Sequence, residues 1–238
     1  MEQLSPQLMH KLVFTILMHG LNDAQILLAH KVLTDALGHA SQQVRELAIV
    51  ALADLPVPPV NRVPGLAIGL ADESAKVRRR AARALGEQGA AAHQAVPALA
   101  AGLRDADASV RRDCAGALGR VGPAAHPAAA GLTALLSDPE NRTRAVASVA
   151  LQRIGRGSVG ALLKGVRSPA AELRGRCATL LAKVAPHDPA VAAVLKMVLT
   201  DEDAEVRARA DAALQYVMTP PPVAMPTPRV SLNTPVRV

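Results

Sequence analysis

The sequence predicts an all-α solenoid of about six stacked helical hairpins. Composition, a long-period repeat and the helical spacing within each copy carry that prediction. Half of the 238 residues are hydrophobic and only 1% are aromatic. So high an apolar share excludes a disordered chain. The lack of aromatics, with 18 prolines, argues against a sandwich or barrel, and the dominance of alanine and leucine favours helix. Six apolar-Arg or Thr-Arg pairs recur at Val44-Arg45, Val77-Arg78, Val110-Arg111, Thr143-Arg144, Leu173-Arg174 and Val206-Arg207, with spacings of 33, 33, 33, 30 and 33 residues. A period of this size marks stacked supersecondary units.

Taken in order, residues 1–20 are expected to form an N-terminal capping helix. Ser5-Pro6 opens it, and Leu8, Leu12, Val13, Ile16 and Leu17 give it an apolar stripe. The first repeat calls for such a cover, because Leu47, Ile49 and Val50 stand where later copies are polar or small. Six repeats follow at about 21–56, 57–89, 90–122, 123–155, 156–186 and 187–218. Each holds a more apolar first helix, expected near 24–37, 64–70, 95–103, 127–136, 159–166 and 190–199, and a second helix opened by the Arg pair. In the second copy Val77, Ala81, Ala84 and Leu85 fall at i, i+4, i+7 and i+8, one face of a helix. Gly89, Gly122 and Gly155 follow at the helix ends, where a left-handed residue would close them.

Five residues before each pair stands His39, Asp72, Asp105, Asp138, Ser168 or Asp201. Asp and Ser are favoured N-caps, and Pro139 and Pro169 then fall at the first helical position, which suits proline. These residues are therefore expected to cap the second helices, with Ser41 serving where His39 breaks the pattern.

The signature Asp-x4-Val-Arg-x2-Ala-x2-Ala-Leu-Gly-x2-Gly, close over 72–89 and over 105–122 with Cys114 in place of one alanine, resembles the HEAT-like repeat first described in phycobilisome lyases. The resemblance spans roughly residues 21–218. It implies a right-handed α-α superhelix of the HEAT/armadillo type, with the second helices on the concave face. It also implies that Asp72, Asp105, Asp138 and Asp201 form a ladder between units with Arg78, Arg111, Arg144, Arg174 and Arg207.

The tail, 219–238, holds six prolines, Arg229 and Arg237, and no acid. It is expected to be an extended, disordered segment, either inert or carrying a short motif in Thr227-Pro-Arg-Val or Thr234-Pro-Val-Arg-Val.

Catalytic chemistry is not indicated. No His-Glu-x-x-His, glycine-rich phosphate loop or Gly-x-Ser-x-Gly motif is present. His-Glu dipeptides, which HEAT-like deoxyhypusine hydroxylases use to hold iron, are missing too. His93 and His126 occupy equivalent places in adjacent units, roughly 10 Å apart by helix packing distances, too far to share one metal ion. Cys114 and Cys177 sit at the buried alanine position two units apart, so core packing is expected and a disulfide is not. No metal, cofactor or catalytic residue is assigned.

The longest N-terminal apolar run, LVFTILM, is far shorter than the ~20 residues of a membrane span. It lacks the flanks of a secretory signal, so a cytoplasmic protein with no membrane partner is expected.

At 100° per residue, the side of the second helices opposite the buried stripe collects Arg79 and Arg83, then Arg112, then Ala145, Val149 and Thr179. The net charge is +7. The function expected is a non-enzymatic scaffold or adaptor that binds a protein segment on this partly basic concave face. The acidic part of that segment would lie against Arg79, Arg83 and Arg112, and its apolar part along Ala145, Val149 and Thr179. Nucleic acid is the rival ligand, weakened by the lack of tryptophan to stack bases. A bilin lyase-like subunit is the third reading.

Overall fold

Each Arg pair opens a helix with apolar residues at every third and fourth position, and that face is what the fold buries. The computed structural model describes residues 22–219 and the single position Gln7; the expected N-terminal capping helix and the proline-rich tail lie outside the described residues. Twelve α-helices follow one another among the described residues. In pairs they are α1 (Asp23–Ala36) and α2 (Gln42–Asp54), α3 (Pro59–Ile68) and α4 (Ala75–Glu87), α5 (Val96–Gly102) and α6 (Ala108–Val121), α7 (Ala129–Ala134) and α8 (Asn141–Ile154), α9 (Val159–Gly165) and α10 (Ala171–Val184), and α11 (Pro189–Val198) and α12 (Ala204–Met218). No strand occurs among the described residues. The second helices α2, α4, α6, α8, α10 and α12 pack each against the next.

Two columns of leucine run through the stack. Leu33, Leu66, Leu99, Leu132, Leu162 and Leu195 come from the first helices and are fully buried. Leu52, Leu85, Leu118, Leu151, Leu181 and Leu214 come from the second helices and are buried as well. Both columns keep the period of the Arg pairs, including the single short step. One unit alone could bury neither column, so the hairpins stand only in a row.

Gly122 and Gly155 end α6 and α8 with φ of 75° and 71°, and their N–H groups donate to Leu118 and Leu151 carbonyls. Non-glycine residues pay heavily in that region. α3 begins at Pro59, five residues ahead of the expected start at Pro64. Its buried Val63 and the bonds from Arg62 to the Ala53 and Val57 carbonyls hold this extra turn. Ile49 is buried, with Cδ1 against Gly69 of the next hairpin.

The cap assignments need correction. The N-cap positions are Ser74, Asp107, Glu140, Ala170 and Asp203, two residues beyond the expected ones. Asp72, Asp105, Asp138 and Asp201 each accept the backbone N–H two residues on, at 2.8, 2.9, 2.9 and 3.0 Å. Ser168 accepts from Ala170 in the same way, and Pro139 and Pro169 precede their helices rather than starting them. Ser41 is the N-cap of α2 but its side chain makes no cap bond; His39 Nδ1 takes the Ser41 N–H instead. An aspartate two residues before a cap and a capping aspartate look alike in sequence, since both fold the chain through a local carboxylate–N–H bond.

That turn frees the carboxylate for a second task. Arg45 donates from Nε and Nη2 to Asp72, Arg78 to Asp105, Arg111 to Asp138 and Arg174 to Asp201, with closest contacts of 2.7, 2.6, 2.7 and 2.7 Å. The remaining nitrogen, Nη1, donates to the carbonyls five and six residues upstream in its own unit. Each guanidinium thus closes its own turn and grips the next unit, a bidentate geometry lysine could not reproduce. Arg144 and Arg207 keep only the Nη1 half of the arrangement among the described residues.

Burial alone would raise the carboxyls of Asp105 and Asp138. The hydrogen bonds from Arg78 and Arg111, then the backbone N–H bonds and nearby arginine charges, outweigh it and hold both below the usual 3.8. For Asp201 the Arg174 bond is itself the largest influence, and its carboxyl is also held down. A carboxyl whose folded value is depressed stabilises the fold fully above its unfolded value, and that stability fades as pH falls through the folded value. The thermal midpoint is therefore expected to hold from neutrality to about pH 5 and to drop as the pH passes below 3.8, followed by the helical circular dichroism signal. A midpoint unchanged at acid pH would contradict the ladder's contribution.

Candidate functional site

Because the second helices bury one side against the first helices and two edges against each other, their fourth side is left in solvent. Successive second helices enclose shallow clefts along it. The first, between α2 and α4, has a volume of about 410 Å³ and is bordered by Val50, Arg79, Arg83 and Glu87. The next, between α6 and α8, is about 380 Å³ and bordered by Arg112, Gly116, Ala145, Val149 and Arg153. The third, about 460 Å³, lies among α8, α10 and α12, with Ala145, Thr179 and Lys183 on its wall. All six residues expected to bind a partner, Arg79, Arg83, Arg112, Ala145, Val149 and Thr179, line one of these clefts.

The electrostatics of the basic half differ from the sequence expectation. Arg79 and Arg83 both reach Asp113 of α6, at 3.2 and 3.0 Å. Arg112 donates to Glu140, at 3.0 Å. Lys76 and Arg80 converge on Glu46, at 3.1 and 3.0 Å. Burial pushes the Glu46 carboxyl up, but Gln42, Lys76 and Arg80 more than reverse this and it is held below its usual value. The five cations of the Lys76–Arg83 stretch thus meet three carboxylates, Glu46, Asp105 and Asp113. Glu46, one repeat before Arg79, is buried beneath its two cations. The sequence signal for these acids was available: Asp113 lies one repeat after Arg80, and a second helix meets its neighbour along flanks that a two-position face does not sample.

The other half also carries charge that was not expected. Gly175 is covered by the Arg209 side chain. Arg176 reaches across to the Leu136 carbonyl, at 2.7 Å, and Lys183 is exposed beside it. Val149 is 47% exposed, the largest apolar side chain open on this face of α8.

Elsewhere the chemistry is that of packing. Burial pushes the Cys114 and Cys177 thiols up to about 12, and both are free. His93 and His126 are exposed. No group of three or more His, Cys, Asp or Glu side chains among the described residues is placed to hold a metal ion. No helix of the described residues is long and apolar enough to cross a membrane.

Residues 63–152 and 129–215 match the family model described as HEAT repeats. No curated protein matches the chain in sequence. Among solved structures, the chain is similar to an engineered protein at 22% identity and a TM-score of 0.52, over 83% of this chain and 97% of the other. A second engineered protein is similar at 22% identity and a TM-score of 0.54, over 89% of this chain and 68% of the other. The complex of CpcE and CpcF of phycocyanin lyase from Nostoc sp. PCC7120 is similar at 22% identity and a TM-score of 0.45, over 77% and 75%. At such identity the likeness concerns the fold alone.

Proposed function

The chain belongs to the HEAT-repeat family, and from that premise we propose that it is a non-enzymatic scaffold that binds a segment of another protein along the face formed by its second helices. The observation that carries this reading is the run of open clefts between successive second helices. An extended segment can lie across several units of a solenoid and gather many weak contacts. The small residues Gly116 and Ala145 leave room for a backbone to approach, and Val149 offers an apolar anchor beside Arg153. The arginines first expected to attract an acidic partner, Arg79, Arg83 and Arg112, already hold acids of this chain, so in the two clefts they line they serve mainly as its walls.

Charge reversal at those three arginines would strand Asp113 and Glu140 and confound binding with stability. Ala145→Glu with Val149→Glu is the cleaner probe, because both residues are exposed and neither holds a partner. Affinity capture from source cells is expected to lose a defined set of proteins with this double variant. The control Lys196→Glu, on exposed surface of the first helix α11, should retain them. Identical partner sets for all three proteins would reject the reading.

A further inference from the structure

The ladder has one missing rung. Between the fourth and fifth units the acceptor position holds Ser168, whose hydroxyl only closes the local turn with the Ala170 N–H, at 3.2 Å. Arg144 keeps its Nη1 bonds to the Asp138 and Pro139 carbonyls. Those bonds orient the side chain as Arg45, Arg78, Arg111 and Arg174 are oriented. Its Nε and Nη2 nevertheless have no acceptor among the described residues, whereas the same two atoms hold a carboxylate in four of the other five units.

Arg144 itself lines a cleft of about 460 Å³, together with Arg176, Lys183 and Arg209. The carboxylates paired there are Glu172, four residues before Arg176, and Glu205, four before Arg209. Both glutamates are mostly exposed, so these are weak surface pairs that a better placed carboxylate can displace. Arg144 and Lys183 form no ion pair with an acid among the described residues, which makes this cleft electropositive where the α2–α4 cleft, bordered by Asp54 and Glu87 and with Glu46 and Asp113 holding its cations, is largely compensated.

We propose that this cleft receives an acidic segment of a partner protein, one of whose carboxylates takes the place of the aspartate missing at position 168 and is gripped by Nε and Nη2 of Arg144. The proposal rests on the protein-binding reading and names the partner's chemistry and its anchor. A carboxylate is favoured over a nucleic-acid phosphate on two grounds. The same guanidinium edge meets a carboxylate in every unit that has one. The cleft also has no aromatic wall on which a base could stack.

The test fills the rung from within. Ser168→Asp supplies the absent carboxylate in its repeat position, and it is expected to raise the melting temperature by pairing with Arg144. Fluorescence polarisation of a labelled peptide of alternating glutamate and alanine should then show binding to the full chain. That binding should weaken about tenfold or more with Ser168→Asp, by a similar factor with Arg144→Gln, and stay unchanged with Ser168→Ala. The glutamine–alanine counterpart should not bind. A raised melting temperature with undiminished peptide affinity would overturn the proposal, as would no binding of the glutamate peptide. Preferential binding of duplex DNA would assign the cleft to a phosphate backbone and overturn it equally, and so would self-association abolished by Ser168→Asp. If peptide binding ignores position 168 but is lost with Ala145→Glu and Val149→Glu, the wider protein-binding reading survives while this anchor falls. Unchanged partner sets in the capture experiment would remove the wider reading itself.

Discussion

Arg111→Ala is expected to destabilise the protein by ~3–5 kcal/mol, the usual cost of removing one partner from a buried ion pair. The Asp138 side chain is only 3% exposed, and without Arg111 its negative charge would remain buried with little beyond the Glu140 N–H and the more distant Arg144 to answer it. Two carbonyls, those of Asp105 and Ala106, would lose their donor as well. Urea denaturation followed by circular dichroism measures the loss. Arg111→Lys should recover only part of it, since an ammonium keeps the charge and loses the two-pronged grip. The double variant Arg111→Met with Asp138→Leu should lie closer to wild type than Arg111→Ala, because it removes the stranded charge together with its partner. A single variant within about 0.5 kcal/mol of wild type, the range of an ordinary surface substitution, would show that the rungs do not hold the units together.

The second large effect is expected where the two layers come nearest. A Cβ on Gly102 would overlap the Cys114 sulfur, and one on Gly165 would overlap that of Cys177. At the same register the first unit has alanine at both positions, Ala36 and Ala48, and the fourth and sixth units place Leu135 with Ala147 and Val198 with Ala210, a larger residue on one side with a smaller one on the other. Gly69 with Ala81 departs from this because Ile49 already fills the space. Gly102→Ala should therefore cost ~1–3 kcal/mol through overpacking, despite alanine's better helix propensity. Adding Cys114→Ala should return at least ~1 kcal/mol of that loss, a coupling typical of residues in contact. Purely additive effects in this double-mutant cycle would refute the size compensation.

The stacked helical hairpins were legible because their cause is periodic: Val77-Arg78 and its copies repeat once per unit, and so do the apolar faces behind them. The leucine columns were equally periodic and would have fixed both helices of each unit, the first as well as the second. What the sequence did not disclose depends on contacts across units. Asp113 shares a helix with Arg112, yet its partners Arg79 and Arg83 are on the preceding second helix; charge counted along one helix could not reveal that the groove's first arginines are occupied. The turn aspartates misled for a local reason, since the same residue type serves at the cap and two positions before it. Ser168 was visible as the odd member of its column, but its meaning came only from the geometry of the rungs on either side.

Every rung points the same way, from an arginine to the unit that follows. The array consequently has a direction in which it can be lengthened. A hairpin with a turn aspartate, grafted directly after α12, would meet Nε and Nη2 of Arg207, which have no acceptor among the described residues and are held in position by the upstream carbonyls. A hairpin grafted ahead of α1 would present its arginine to His39, which has no carboxylate to return and whose Nδ1 is already engaged by Ser41. Extended versions of this protein should thus be assembled from the C-terminal side.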